Sequence, residues 1–279
     1  MKLLEVKSLN IYCNDKNNIK HLVKGLSFHV NRGEIFGIVG ESGCGKSLTS
    51  KSILRVLEKH FLITGEVEFE HENILEFSEK KISSLRGNKI SMILQDSSGS
   101  LNPLKKIGKQ IEECLLIHRK NLSKCERMKV INDILEECEL AHLENILNRY
   151  PHELSGGQRQ RVVIAMAVIC EPSLVICDEC TTALDLRIQL KVVRLLKKMN
   201  KDKNMTIIFV SHDMALIDSL CDRVMVMYGG EKVEIVENGL VNAKDKYTQT
   251  LYNMIFSMED KNKSLPTLEK RGVHNATRG

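Results

Sequence analysis

The sequence predicts an α/β fold: a mostly parallel sheet with helices packed on it and a helical subdomain inserted into it. Three observations lead there. From Glu34 the run EIFGIVG reads as a buried strand ending in glycine, and SLTSKSILRVLEK after it carries apolar residues at helical spacing. SLVIC (173–177) and MTIIFV (205–210) are apolar β-type runs separated by the helical LRIQLKVVRLLKKM, an order that implies parallel strands joined by a crossover helix. Between about residues 100 and 170 the pattern turns helical, in IGKQIEECLLIH, ERMKVINDILEECEL and GGQRQRVVIAMAVIC, as expected of an insertion into a sheet protein.

The other elements fall around these. ITGEVEFE (63–70) alternates like an outer strand, KISMILQ (89–95) reads as a buried strand ending on a polar residue, and DRVMVM (222–227) supplies one more strand. After Gly229 and Gly230 the pattern weakens, and the last twenty residues are polar and rich in Lys, Asn and Ser. One main domain over residues 1–255 is expected, with a flexible tail over 256–279. A chain of 279 residues can bury one large core, and a second of full size would be a tight fit.

Composition narrows the function classes. An apolar share of 42% and a charged share of 28% match an ordinary globular protein, and no unbroken run of about 18 apolar residues offers a membrane span. The N-terminal MKLLEVKSLNIYCND lacks the layout of a secretory signal, so a cytosolic chain is expected. Nine scattered cysteines, an odd number, suit reduced thiols better than a disulfide scaffold. The net charge of +5 is mild and its signs interspersed, which points to no nucleic-acid partner.

Chemistry concentrates in three motifs. Gly40, Glu41, Ser42, Gly43, Cys44, Gly45, Lys46 and Ser47 fit the P-loop pattern GxxxxGK[ST] between strand and helix. The glycines let backbone N–H groups turn inward, and the helix beginning near Lys46 aims its positive end at the same point, a concavity suited to a polyphosphate. Lys46 would neutralise the β and γ phosphates, and the Ser47 hydroxyl would join the oxygen ligands of Mg²⁺. Cys44 within this loop invites alkylation or oxidation, because a helix N-terminus lowers a thiol's pKa.

The second motif is an acidic pair. The apolar run Leu174–Cys177 delivers Asp178 and Glu179 at its carboxyl end, where open α/β sheets keep their active sites. Asp178 fits the Mg²⁺ side and Glu179 the general base that polarises an attacking water. The third motif is the most selective. Leu154, Ser155, Gly156, Gly157 and Gln158 place a hydroxyl, two bare backbone positions and an amide at a helix N-terminus, a second anion site. By average composition such a run arises in on the order of one chain in a few thousand.

With LSGGQ lying between a P-loop and an acidic strand end, the chain resembles the ATP-binding cassette (ABC) family. The resemblance implies a P-loop NTPase core with an N-terminal antiparallel β subdomain and an inserted helical subdomain. It also implies a head-to-tail dimer, in which Leu154, Ser155, Gly156, Gly157 and Gln158 of one subunit cover the ATP held by the P-loop of the other. Gln95, after KISMIL, resembles the glutamine that senses Mg²⁺ and water and links the site to a transmembrane partner. His212 in IIFVSHD resembles the switch histidine that contacts the γ phosphate, and Asp185 in TTALD the aspartate that crosses the dimer interface. Tyr12 is the nearest candidate for the aromatic on which the family stacks adenine.

The chain departs from the family at Cys180, which stands where a proline usually follows the catalytic glutamate and forms a CxxC pair with Cys177. Cys177 is expected to point into the sheet core as a small hydrophobe, away from such a pairing. LQDSSGSLNPLKKIGKQI and the later YTQTLYNM resemble the branch serving dipeptide, oligopeptide and nickel importers. The branch's peptide members often end in a cysteine motif for an iron-sulfur cluster; no cysteine follows Cys221 here, which tilts the cargo toward nickel or a metal chelate. The resemblance implies transmembrane permease subunits, a second and preferably different ATPase subunit, an external binding protein, and a place at the cytoplasmic face of the membrane. The alternatives are a soluble ABC-type ATPase without a membrane partner, and a P-loop binding module without turnover, against which Glu179 and His212 argue.

Overall fold

The computed structural model describes residues 1–15, 18–96, 99–182 and 184–259. Strands β1 (Lys2–Asp15) and β2 (Asn18–Asn31) form a long antiparallel hairpin, and β3 (Ile35–Gly40) then leads into helix α1 (Lys46–Ile53). After β4 (Phe61–Phe69), β5 (Glu72–Asn73) and α2 (Glu79–Leu85), β6 (Ile90–Ile93) returns the chain to the main sheet. Helices α3 (Ile107–His118), α4 (Lys124–Glu137) and α5 (Gly156–Val168) lie between β6 and β7 (Leu174–Asp178). Then come α6 (Leu186–Lys203), β8 (Thr206–Val210), α7 (Met214–Leu220), β9 (Arg223–Tyr228), β10 (Glu231–Glu237) and α8 (Lys246–Glu259).

Two sheets result. The larger runs β10-β9-β3-β8-β7-β6, parallel except for β10, and the smaller runs β2-β1-β4-β5, antiparallel throughout. Strands β3, β7 and β8 are buried along their whole length because the larger sheet is covered on both faces. Alternate residues serve the two sides, as the period of two in a strand requires. Ile35, Val39, Val175, Cys177, Ile207 and Phe209 join the core shared with α3 to α6. Phe36, Ile38, Leu174, Ile176, Ile208 and Val210 join the core shared with the antiparallel sheet.

Several boundaries differ from the periodicity, each for a local reason. The helical pattern after the glycine loop runs to Lys59, but α1 stops at Ile53, because Arg55 adopts a left-handed φ of 52°. Arg55 N–H then donates to Ser52 O (3.0 Å) and Val56 N–H to Lys51 O (3.1 Å), the paired bonds of a Schellman close. Helix α4 ends in the same way, with Glu139 left-handed and Leu140 N–H donating to Leu135 O at 2.8 Å. It starts two residues before the periodic segment, on a capping box between Ser123 and Glu126. Strand β6 ends at Ile93, so Gln95 lies two residues beyond it and is exposed. Helix α8 continues to Glu259, four residues into the expected tail; residues 260–279 lie outside the described ones.

Candidate functional site

The turn from β3 into α1 is shaped by its neighbours. At Gly40 the backbone has φ 156°, and a Cβ there would lie 2.2 Å from Met227 O, so β9 leaves room for glycine alone. Gly230 N–H donates to Cys44 O (3.2 Å), which fastens the loop to the turn after β9. Lys46 is only 4% exposed. Its ammonium donates to Gly40 O (2.9 Å) and Glu41 O (2.8 Å), and among the described residues it has no carboxylate within ion-pair distance. A buried ammonium held by carbonyl dipoles alone is incompletely compensated, and an anion in the loop would complete it. The first turn of α1 adds N–H groups that no side chain caps.

At the carboxyl edge of the larger sheet the acidic pair separates into two environments. Asp178 ends β7 and is buried, and the Ser47 hydroxyl donates to its Oδ1 at 2.8 Å. Burial pushes its carboxyl above the usual range, while the Ser47 hydrogen bond and the charge of Lys51 pull the other way. Glu179, half-buried, takes a left-handed φ of 50°, with its N–H on Val210 O at 3.0 Å. Its Oε1 is 3.8 Å from Nδ1 of His212, so neighbouring strands bring the two residues together.

The raised pKa of Asp178 makes a stability prediction. The folded chain holds this proton more tightly than the unfolded one, so ionised Asp178 costs stability above its folded pKa, and the cost disappears below the ordinary carboxylate range. Asp178→Asn keeps an acceptor for Ser47 and removes the charge. In magnesium-free buffer it is expected to melt at or above the parent's temperature at pH 7, with the difference shrinking as the pH falls through the carboxylate range. A lower melting point at every pH would contradict this.

Ser155 and Gln158 form a reciprocal capping box at the start of α5, with Gln158 N–H donating to Ser155 Oγ (3.4 Å) and Ser155 N–H to Gln158 Oε1 (2.9 Å). Leu154 is buried beneath it. The two glycines differ: Gly156 is exposed, and a Cβ there would meet nothing within 4 Å, whereas one on Gly157 would lie 2.6 Å from Ile188 Cγ2. Gly157 thus lets α6 approach within the same chain, and Ser155 and Gly156 are the outward positions of the motif. Asp185 is exposed and caps α6 by accepting Ile188 N–H at 3.0 Å.

With this geometry in place, the comparisons decide the family: a model described as ABC transporter matches residues 23–182. The chain belongs to the ABC transporter family. Its relatives include the oligopeptide transport ATP-binding protein OppD of Bacillus subtilis (strain 168), 40% identical, with the match covering 99% of this chain and 75% of that protein. OppD of Escherichia coli (strain K12) is 39% identical over 90% of this chain and 72% of its own length. For the dipeptide transport protein DppD of Bacillus subtilis (strain 168) the figures are 40%, 84% and 70%. Among solved structures, the ATP-binding cassette MJ0796, dimeric in a post-hydrolysis state with ADP and Pi, superposes with a TM-score of 0.75 at 28% identity. That match covers 84% of this chain and 98% of the other. The cassette is an ATPase, and its fold is the α/β P-loop fold of that family.

Three residues of this ABC cassette named from the sequence have surroundings that the sequence did not show. Cys44 is buried, and burial raises its thiol's pKa against the opposing charge of Lys46, so it is not the activated thiol expected of a helix N-terminus. Cys177 lies in the core as the sequence predicts, and the neighbouring Cys180 thiol together with burial pushes it far above the ordinary thiol range. Cys180 is thus a core residue, and among the described residues no group of three or more His, Cys, Asp or Glu could hold a metal. Tyr12 is half-buried and already stacks on His21, with ring centroids 4.3 Å apart and planes at 18°.

The sequence reading also passed over residues of this cassette that shape its site. Met227 and Gly230 press on the phosphate loop, and only the pair Gly229–Gly230 hinted at a tight turn there. Gln189 Nε2 donates to Asp213 Oδ2 (3.4 Å), joining the helix that Asp185 caps to the residue after His212. A lone glutamine in a helix gives no signal of that kind.

Proposed function

We propose that this cassette is the ATP-hydrolysing subunit of an importer for oligopeptides or dipeptides, working as one half of a head-to-tail pair that encloses two ATP molecules. The observation that carries the reading is the buried Lys46 ammonium without a carboxylate partner, next to the Ser47–Asp178 pair and on the same sheet edge as Glu179 and His212. Lys46 and the loop N–H groups bind the phosphates. Glu179 accepts a proton from the attacking water, and His212 sits beside it to contact the γ phosphate. Ser47, Asp178 and Gln95 form an oxygen-only donor set that suits Mg²⁺, and the touching oxygens of Ser47 and Asp178 fit that ion. When bound, it would neutralise charge on the β and γ phosphates.

The second half of the site is supplied in trans by the exposed Ser155 and Gly156 of another cassette, with Asp185 at the seam. Leu186, next to Asp185, is 69% exposed, an apolar side chain suited to being covered by a second subunit. Pairing with a different ATPase is preferred over self-pairing. A groove of about 480 Å³, lined by Leu94, Ile117, Met166 and Ala167, opens beside the strand end that leads to Gln95. A cytoplasmic segment of a permease seated there would act directly on that glutamine. Among the described residues no helix is long and apolar enough to cross a membrane, so attachment through such a groove suits a peripheral subunit. The names of the relatives favour peptides over nickel as cargo.

Purification of the tagged chain from its own cells tests the assembly. It is expected to bring down membrane-embedded permease subunits and a second, different ATPase. Recovery as a homodimer with permeases would remove the heterodimer, and recovery without any membrane protein would favour a soluble ABC-type ATPase.

A further inference from the structure

His212 sits in a turn that is held on both sides of it. Ser211 is buried, and its N–H donates to Ile38 O at 3.2 Å, which ties the turn to β3. The Ser211 hydroxyl accepts Asp213 N–H at 3.0 Å, so a side chain closes the turn across His212. The Asp213 carboxylate then uses both of its oxygens. Oδ1 accepts Leu216 N–H (3.0 Å) and caps α7, and Oδ2 accepts Gln189 Nε2 (3.4 Å) from α6. Among the described residues that amide is the one side-chain donor to this half-buried carboxylate.

The His212 ring has no such anchor of its own. It is 53% exposed, and its Nδ1 stands 3.8 Å from Glu179 Oε1, beyond hydrogen-bond reach. Its place beside Glu179 is therefore inherited from the backbone at Ser211 and Asp213. Gln189, in contrast, is presented by a firm base. It lies in the first turn of α6, and its N–H donates to Asp185 O at 2.9 Å. Ile188 before it comes so close to α5 that a Cβ on Gly157 would stand 2.6 Å from Ile188 Cγ2. That turn of α6 is set by its cap and its packing, so the Gln189 amide bonds Asp213 from a fixed position.

We propose that Gln189 is a positioning residue for ATP hydrolysis: by donating to Asp213 it holds the turn that presents His212, and so keeps the imidazole where the γ phosphate and Glu179 meet. This rests on His212 being the residue that contacts the γ phosphate. Gln189 touches no nucleotide and acts through Asp213.

Steady-state ATP hydrolysis by the full-length chain, in the assembly it purifies with, tests it using Gln189→Leu, Gln189→Lys and His212→Ala. ATP affinity is measured separately at low magnesium. Gln189→Leu keeps the volume of the side chain and loses the donor. It is expected to lower kcat roughly three- to tenfold, the scale of one modest hydrogen bond, with KM, ATP affinity and melting temperature near the parent's. Gln189→Lys keeps a donor to the carboxylate and is expected to stay within about twofold of the parental kcat. A merely structural role would instead lower melting temperature and ATP affinity together, or impair the two Gln189 variants equally, and either result overturns the proposal. So does a parental kcat in Gln189→Leu while His212→Ala is impaired. If His212→Ala itself turns over as the parent does, the role given to His212 falls and this proposal falls with it.

Discussion

Glu179→Gln is expected to slow ATP hydrolysis by about 10² to 10⁴, the usual worth of a general base, while ATP stays bound and the paired form accumulates. The substitution keeps volume and polarity, and the backbone that presents the residue does not depend on its charge. Glu179 N–H rests on Val210 O (3.0 Å), and its own carbonyl accepts Thr182 N–H at 3.2 Å. A non-glycine residue held at φ 50° is strained, and that strain aims the carboxylate off the end of β7 toward His212, 3.8 Å away. Phosphate release under saturating ATP measures the loss, and size exclusion in the presence of ATP reports the trapped dimer. An undiminished rate would take the role of base away from Glu179.

Lys46→Ala acts one step earlier, on binding. The ammonium is buried with only the Gly40 and Glu41 carbonyls and, at 3.9 Å, the Cys44 sulfur as partners. Hydrogen bonds to a charged group contribute about 1.5 to 3 kcal/mol, so ATP affinity is expected to fall by about 10- to 100-fold. Titration with ATP at low magnesium reads this directly. Parental affinity together with normal turnover would overturn the assignment of the phosphates to this loop. The two variants separate cleanly: one binds and does not turn over, the other fails to bind.

Much of this was legible in the chain. Strands β3, β7 and β8 showed themselves as continuous apolar runs because helices cover one face of the sheet and a second sheet covers the other. Helix α3 occupies the periodic segment 107–118 from end to end, since one face of it is buried and its one poor helix former, Gly108, lies in the first turn. Less visible were features made by distant partners. Arg55 stops α1 inside a pattern that continues past it, and its neighbours Phe77 and Arg86 hydrogen-bond to it from other parts of the chain. The antiparallel sheet came only from the family resemblance, because its register is set by pairings such as Val6 with Phe28 and Val67.

What the sequence determined by itself is the set of chemical groups and their immediate frame. GESGCGKS must turn and offer N–H groups, LSGGQ must cap a helix, and CDE must end a buried strand, since each follows from residue types at fixed short spacings. Only the tertiary structure decided which groups meet. It set Ser47 on Asp178 and Glu179 beside His212, buried Cys177 and Cys180 in one core, gave Gly157 to packing against Ile188, and packed Tyr247 on Tyr228. The physical reason is range: hydrogen-bonding and steric preferences act over a few residues and can be read in order, whereas contacts between residues far apart in the chain depend on how buried surfaces pack, which no local pattern encodes.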